Sequence, residues 1–599
     1  MKRLAVVLPI PVVACVILVA YPRTSFLALP RPVAAPEAQA SRNPAEEDLP
    51  DLILLHGNVI TVDARDSIAQ AVAIRGTKIV RVGTDAEVQA LAGAGTRTLD
   101  LKGRTVTPGL IDAHCHFQEV GELYDITLSD TAVRSVNDIL DRVKAKVEQA
   151  KPGEWIRGAG WDEGKLLERR YVTSADLDTV APHNPVWLEH TTGHYGVANS
   201  TALAAADINV ATKDPPAGTI DRDARGNPTG VLKEAAQNLV TRLIPPYTHE
   251  QRKNGLLKII TDFHKEGMTA VKNPGITDDD WALYEELLQE NRLNIRLFAL
   301  WRSAPTMESA KALVARLGQL PKPPFAAGGM LMAGGIKIFM DGSGGGRTAW
   351  MYQDWNKGFS STDSGNKGYP SIDPELYRQQ VRMFHKAGLH VSTHAIGDRA
   401  IDWVLDTYSE VLAEMPTRKL RHGLIHGNVP TDHAIETIAR LEKDYDSGYP
   451  ELQPPFLWWL GDNYAGNLGA NRVGRLIPLR TFERKGIRWA GGSDYPVTPF
   501  AARYGLWAST VRETLHGTYG KQPFGTAESV DIHTALRSYT IWAAHQLFLE
   551  DRVGSIEPGK EADLAVWDRD WYSVPTSELA QLHCQLTLVA GKVVFQATN

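Results

Sequence analysis

Between about residues 109 and 545, short apolar runs alternate with longer stretches of helical periodicity, and the runs end in chemically distinctive residues. Their ends fall near His116, Lys272, Trp301, Asp341, His394, His426, Pro454 and Asp494. Most of the intervals hold one helix with its turns, the spacing of parallel βα units. Eight such units predict an α/β chain whose sheet closes into a (β/α)8 TIM barrel. The first interval, His116 to Lys272, is far too long for one unit and requires a large insertion after the first strand, over about residues 118–250. The Gly- and Ser-rich stretch from Ser343 to Pro370 lengthens another interval.

The two ends of the folded part share a different texture. Runs such as Leu52-Ile53-Leu54-Leu55 and Ala71-Val72-Ala73-Ile74 near the start, and Leu564-Ala565-Val566-Trp567 and Leu586-Thr587-Leu588-Val589 near the end, read as short strands between turns. Neither piece could bury a core alone. Residues 49–108 and 546–599 are therefore expected to form one small composite β-sandwich, with the barrel over residues 109–545.

Residues 1–48 stand apart. Met1-Lys2-Arg3 precedes an uncharged run from Leu4 to Ala20, broken by Pro9 and Pro11, and a Pro-, Ala- and Glu-rich tether follows. This is the pattern of a signal peptide or short membrane anchor with a flexible linker. It implies a protein that is exported, to the periplasm or beyond, or held at the membrane by its N-terminus.

Composition removes several function classes. The 599 residues are 43% apolar and 22% charged, as in ordinary globular proteins, and the net charge is only −6. A nucleic-acid binder would show a basic excess. Three cysteines, Cys15, Cys115 and Cys584, cannot build a disulfide framework.

The chemistry concentrates at the strand ends. In a strand, residues i and i+2 project to one face, so Gly109-Leu110-Ile111-Asp112-Ala113-His114-Cys115-His116 would present His114 and His116 together. Paired neutral imidazoles suit zinc-type ions. A lone His-x-His is a weak signal, but three other runs share its vocabulary. They are His390-Val391-Ser392-Thr393-His394, Leu424-Ile425-His426-Gly427 and Trp489-Ala490-Gly491-Gly492-Ser493-Asp494. All end at the C-terminal face, where barrel enzymes keep their chemistry. A further run, Gly334 to Ser343, places Lys337 inside an apolar strand. A buried ammonium is unfavourable unless paired or neutralised. Either a carboxylate pairs with Lys337, or its neutral amine takes up carbon dioxide and becomes a carbamate that can bridge two metal ions.

Other runs complete a pattern: Gly160-Trp161-Asp162, Gly193-His194, Asn199-Ser200, Asp341-Gly342-Ser343, His394-Ala395-Ile396-Gly397-Asp398 and Pro558-Gly559-Lys560-Glu561-Ala562-Asp563. Together these resemble the amidohydrolase superfamily over about Asp51 to Lys592, and within it the branch of N-substituted formamide deformylase (amidohydrolase family 3). The resemblance implies that His114 and His116 are first-strand metal ligands and that His394 and His426 are the fifth- and sixth-strand ligands. It implies that Lys337 holds the fourth-strand position that is a carbamylated lysine in many binuclear relatives. Asp494 matches the eighth-strand aspartate, which both touches metal and handles the proton. Lys272 departs from the branch pattern and leaves open which lysine is modified.

The expected activity is metal-dependent hydrolysis of a non-peptide, amide-type C–N bond in a small molecule, by water activated on one or two zinc-type divalent ions. Trp161, His194, Phe456, Trp458 and Trp459 are candidates for an apolar mouth that favours an aromatic or bulky group. His194 is also a candidate for holding the substrate carbonyl during catalysis. Deamination of a heterocyclic amine on the same fold is the alternative. No nucleic-acid partner is expected, and N-terminal membrane anchoring and a homodimer are compatible with the sequence.

Overall fold

Eight parallel strands, hydrogen-bonded to one another in chain order, surround the centre of the molecule. They are β1 (Leu110–Asp112), β2 (Met268–Ile276), β3 (Arg296–Arg302), β4 (Leu331–Phe339), β5 (His390–Ala395), β6 (Gly423–His426), β7 (Tyr449–Leu452) and β8 (Ala490–Gly491). The ring closes between last and first: the Ala113 N–H donates to the Gly491 carbonyl (3.0 Å) and the Asp494 N–H to the His114 carbonyl (2.7 Å). The structure is a computed structural model that describes residues 49–129, 131–320, 329–356, 365–515 and 525–598. The expected signal peptide or membrane anchor with its linker, residues 1–48, lies outside the described residues. Among the described residues, no helix is long and apolar enough to cross a membrane.

The strands are apolar along most of their length, as parallel strands covered on both faces must be. Helices start where the sequence offers a cap. Thr277 caps Asp278–Gln289, Thr306 caps Met307–Leu317, Asp373 precedes Pro374–Lys386 and Thr431 caps Asp432–Tyr445.

Several strands end earlier than the apolar runs suggest. β1 stops at Asp112, β4 at Phe339, β7 at Leu452 and β8 at Gly491. His114, His116, Asp341 and Asp494 therefore stand just past their strands. His114 and His116 are not held by strand alternation, and the neighbouring loops bring them together instead. The backbone turns sharply at these places. φ is +74° at His426 and +58° at Asp494, values that non-glycine residues adopt only under constraint.

Between β1 and β2 the chain builds a separate six-stranded sheet, ordered Gly218–Arg222, Pro228–Glu234, Tyr195–Ala198, Val186–His190, Ile156–Trp161, Ile126–Thr127. It is tied to loops at the C-terminal mouth of the barrel. Thr191 donates to the Val497 carbonyl at 2.9 Å, and Asn463 donates to both Asp162 and Glu163 at 3.2 Å. The insertion is thus a cover over that mouth.

The remaining strands form two sheets. One is ordered Lys78–Gly83, Ala71–Arg75, Leu52–Leu55, Arg97–Asp100. The other is ordered Lys592–Gln596, Cys584–Val589, Leu564–Trp567, Thr105–Pro108, Asn58–Ile60, Ile68–Ala69. Thr105–Pro108 pairs with Leu564–Trp567, so both ends of the folded part share one sheet. Leu54, Val72, Val106, Leu564 and Leu588 meet in one core.

A bidentate ion pair fastens the barrel to this composite unit. Arg296 on β3 reaches Asp563 with Nε at 2.7 Å and Nη2 at 2.9 Å, and both side chains are buried. Removing one member strands the other charge, so Arg296→Met is expected to destabilise the protein by about 3–5 kcal/mol. Replacing both, Arg296→Met with Asp563→Leu, should recover part of the loss. Denaturant midpoints of the single and double variants check this, and equal midpoints for wild type and Arg296→Met would refute it.

Candidate metal centre

The loop after β8 is built to deliver a carboxylate to β1. A Cβ on Gly492 would lie 2.7 Å from the His114 backbone nitrogen, so only glycine lets the two segments approach. Ser493 then donates its hydroxyl to Asp112 Oδ2 (2.6 Å) and its N–H to Asp112 Oδ1 (3.0 Å), while Asp112 also accepts the His114 N–H (3.0 Å). Burial pushes the Asp112 carboxyl up to about 7, against the pull of those donors. Its role is to lock the two loops together. The next residue, Asp494, has Oδ1 at 3.1 Å from His114 Nε2 and 3.2 Å from His116 Nε2.

The other imidazoles converge on the same place. Ring centroids lie 5.4 Å apart for His114 and His116, 5.2 Å for His114 and His426, and 4.5 Å for His394 and His426. Gln453 donates its amide to the Glu451 carbonyl (2.9 Å), so its oxygen is the atom facing His426 Nδ1 at 2.6 Å. Nδ1 of His426 therefore carries the proton, and Nε2 is left with a free lone pair. His394 is reversed. Its Nε2 meets the Gly342 carbonyl at 2.9 Å, which leaves Nδ1 free. Burial holds both rings well below the usual imidazole range, in the neutral form that ligates metal. Burial alone would raise Asp494, but the His114 and His116 rings beside it hold its carboxyl well below the carboxylate range.

Lys337 on β4 is fully buried, and burial pulls its amine down to about 7. Its Nζ has no hydrogen-bond partner among the described residues, nor do His114 Nδ1 and Nε2 or Asp494 Oδ1. Unsatisfied polar atoms gathered in one buried place need an explanation. Nitrogen and oxygen donors of this kind, with a lysine near neutrality, fit a divalent cation. His116 keeps about a quarter of its side chain exposed (23%) and marks the open side.

The second candidate lysine has a different use. Lys272 Nζ is 2.7 Å from Glu451 Oε1 and 2.8 Å from Ser392 Oγ, so it is an ion-paired ammonium. Asp341 does not pair with Lys337. It accepts three backbone N–H groups, from Trp350, Ile396 and Gly397 at 2.9–3.0 Å, and shapes the loop after β4.

His194 reaches the site from the cover, with its ring 5.1 Å from that of His394. Its Nδ1 meets Glu234 at 3.0 Å, and Glu234 also accepts from Thr348. Burial disfavours the charged imidazole, but the Glu234 carboxylate outweighs this and raises its pKa. Glu234 itself has φ +51° and ψ −127°, a conformation a non-glycine residue holds only when its surroundings impose it.

The aromatic candidates separate. Phe456 lies nearly parallel to His426 at 5.8 Å and so stands beside the cluster. Trp161 is a core residue of the cover. It is fully buried against Tyr171, His190 and Tyr195, and its indole N–H donates to the Leu188 carbonyl (3.0 Å). Trp458 stacks on Tyr504 at 4.8 Å, and Trp459 lies under the Lys165 ammonium at 3.5 Å. Each of these three rings packs against protein neighbours.

Sequence reasoning missed Gln453, Glu451, Glu234 and a second buried trio. Strand alternation could have found Glu451 and Gln453, which share a face two residues apart. The trio is Asp162, Glu163 and His190. Its polar atoms satisfy one another, with Tyr195 OH at 2.8 Å from both Glu163 and His190 and Asn463 bridging from the barrel. It works as a clasp between cover and barrel.

The chain is 31% identical to the N-substituted formamide deformylase of Arthrobacter pascens, over 92% of this chain and 99% of that protein. It is 30% identical to the protein LONG AFTER FAR-RED 3 of Arabidopsis thaliana, over 91% of each. A metal-dependent hydrolase from Pyrococcus horikoshii shares the fold, with TM-score 0.67 at 23% identity, covering 88% of this chain and 99% of that one. Residues 97–595 match the model of the amidohydrolase family, and the chain belongs to that family.

Proposed function

We propose that this enzyme hydrolyses an amide-type C–N bond, other than a peptide bond, in a small molecule bearing an aromatic or bulky group. One observation carries the reading: His114, His116, His394, His426 and Asp494 converge at the C-terminal ends of four barrel strands, β1, β5, β6 and β8, with unpartnered donor atoms in one buried site. These five are the proposed ligands. Lys337 joins them as a carbamate, formed when its neutral amine adds to the carbon of carbon dioxide and loses a proton.

A divalent ion held there, zinc in this reading, supplies Lewis acidity and brings the ionisation of water toward neutral pH. Asp494 accepts the proton of the attacking water and returns it to the departing nitrogen. In its imidazolium form, which the Glu234 carboxylate at Nδ1 favours, His194 offers its Nε2–H to the substrate carbonyl oxygen as negative charge develops there. Phe456 provides an apolar wall beside His426.

The substrate class follows from the relative with N-substituted formamides in its name. The purified protein is expected to release amine and formate from N-formyl amines, with higher kcat/KM where the amine carries an aromatic ring than where it carries only a methyl group. Faster release of ammonia from aminated heterocycles would overturn this in favour of deamination. For location we propose export or N-terminal anchoring, on the strength of the Leu4 to Ala20 run.

A further inference from the structure

The barrel interior beneath the cluster holds charges that the proposed reaction does not use. Lys272 on β2 and Glu451 on β7 are both buried, and they meet across the barrel with Nζ 2.7 Å from Oε1. The other ammonium protons are placed as well, toward Ser392 Oγ at 2.8 Å and His390 Nε2 at 3.2 Å. His390 Nδ1 faces the Leu420 carbonyl at 2.8 Å, so it carries that ring's proton and Nε2 is the acceptor. The Ser392 hydroxyl donates to Glu451 Oε1 at 2.6 Å. Both contacts to the carboxylate, from Lys272 and from Ser392, reach the same oxygen, Oε1. The other, Oε2, has no hydrogen-bond partner among the described residues and lies 4.0 Å from His114 Nδ1, which also has none. At the far end of that ring, Nε2 is 3.1 Å from Asp494.

We propose that Glu451 is the positioning residue of His114: its Oε2 receives the Nδ1–H, which leaves Nε2 bare for the metal, and Lys272 with Ser392 holds the carboxylate in place for that task. The inference rests on His114 being a metal ligand, as proposed above. Ligating histidines give their second N–H to a carboxylate, a carbonyl or water, and this fixes the tautomer and the ring orientation. His426 does so through Gln453 and His394 through the Gly342 carbonyl. Glu451 supplies the equivalent partner for His114. Closing 4.0 Å to hydrogen-bond length takes a shift of about 1 Å. This also accounts for Lys272, whose position next to the ligands is otherwise unexplained. A carboxylate buried here without a cation would be very unfavourable.

The test uses metal-free full-length protein. Wild type, Glu451→Gln and the double variant Lys272→Met with Glu451→Gln are titrated with Zn2+ against a chromophoric chelator, and the visible spectrum of each is recorded with Co2+. Both variants are expected to bind zinc about 10–100-fold more weakly and to show an altered Co2+ spectrum. The double variant removes both charges together, so its weaker binding cannot come from a stranded lysine, and its thermal midpoint verifies the fold. If Lys272 and Glu451 were only counter-ions, the double variant would recover wild-type affinity and spectrum, and that result overturns the inference. A wild-type protein that binds no metal at all overturns instead the reading on which it rests.

Discussion

Asp494→Asn is expected to lower kcat by about 10³-fold, with KM changed far less. The carboxylate stands 3.1 Å and 3.2 Å from the Nε2 atoms of His114 and His116, on a loop anchored by Ser493 and Asp112, so it has little freedom to be replaced by a neighbour. Asparagine keeps the volume and one oxygen, and the loop hydrogen bonds lie on other residues. What it loses is the negative charge and the ability to take up a proton. The neutral amide oxygen is also a weaker metal ligand than the carboxylate, so some loss of metal affinity is expected too. Metal content is therefore measured alongside steady-state kinetics. A variant with metal bound and wild-type kcat would remove Asp494 from the proton path.

The sequence made the barrel readable because parallel strands covered on both faces must be apolar, and because their ends carry the chemistry. All eight strands lie where the apolar runs are. The exact ends were not readable. Asp494 and His426 have left-handed backbone, and Asp494 follows a turn in which Gly492 passes close to His114, a contact between segments almost the whole barrel apart in sequence. The same limit applies to Lys272. From local sequence it is a second lysine near the ligands and competes with Lys337 for modification. Its ion-pair partner, Glu451, lies five strands further on and reaches it only across the closed barrel. The place of Trp161 was also not readable from local sequence: its strand belongs to the cover and turns the side chain into the core of that cover. Glu234 left no trace at all, since its importance rests on one unusual backbone conformation and on His194 arriving from a neighbouring strand.

Dialysis against a strong chelator at neutral pH is expected to abolish turnover and to lower the thermal midpoint, and added zinc is expected to restore both. The structural argument is one of unsatisfied groups. Among the described residues, His114 Nε2, Asp494 Oδ1 and Lys337 Nζ are buried without hydrogen-bond partners, and His394 Nδ1 and His426 Nε2 are left with free lone pairs. Such groups are unfavourable in a low-dielectric interior, and a bound ion relieves them together. A ligand present at about 1,000 times its Kd stabilises the native state by about 4 kcal/mol, which a thermal scan resolves. Reconstitution carries a second signature. A Lys337 that must first take up carbon dioxide makes recovery of activity faster when bicarbonate accompanies the zinc, whereas an unmodified amine makes recovery independent of it. Lys337→Ala should lose that bicarbonate dependence while keeping the stabilisation that zinc gains from the histidines and Asp494. Full activity after complete removal of metal, verified by elemental analysis of the same sample, would dismantle the reaction proposed for this site.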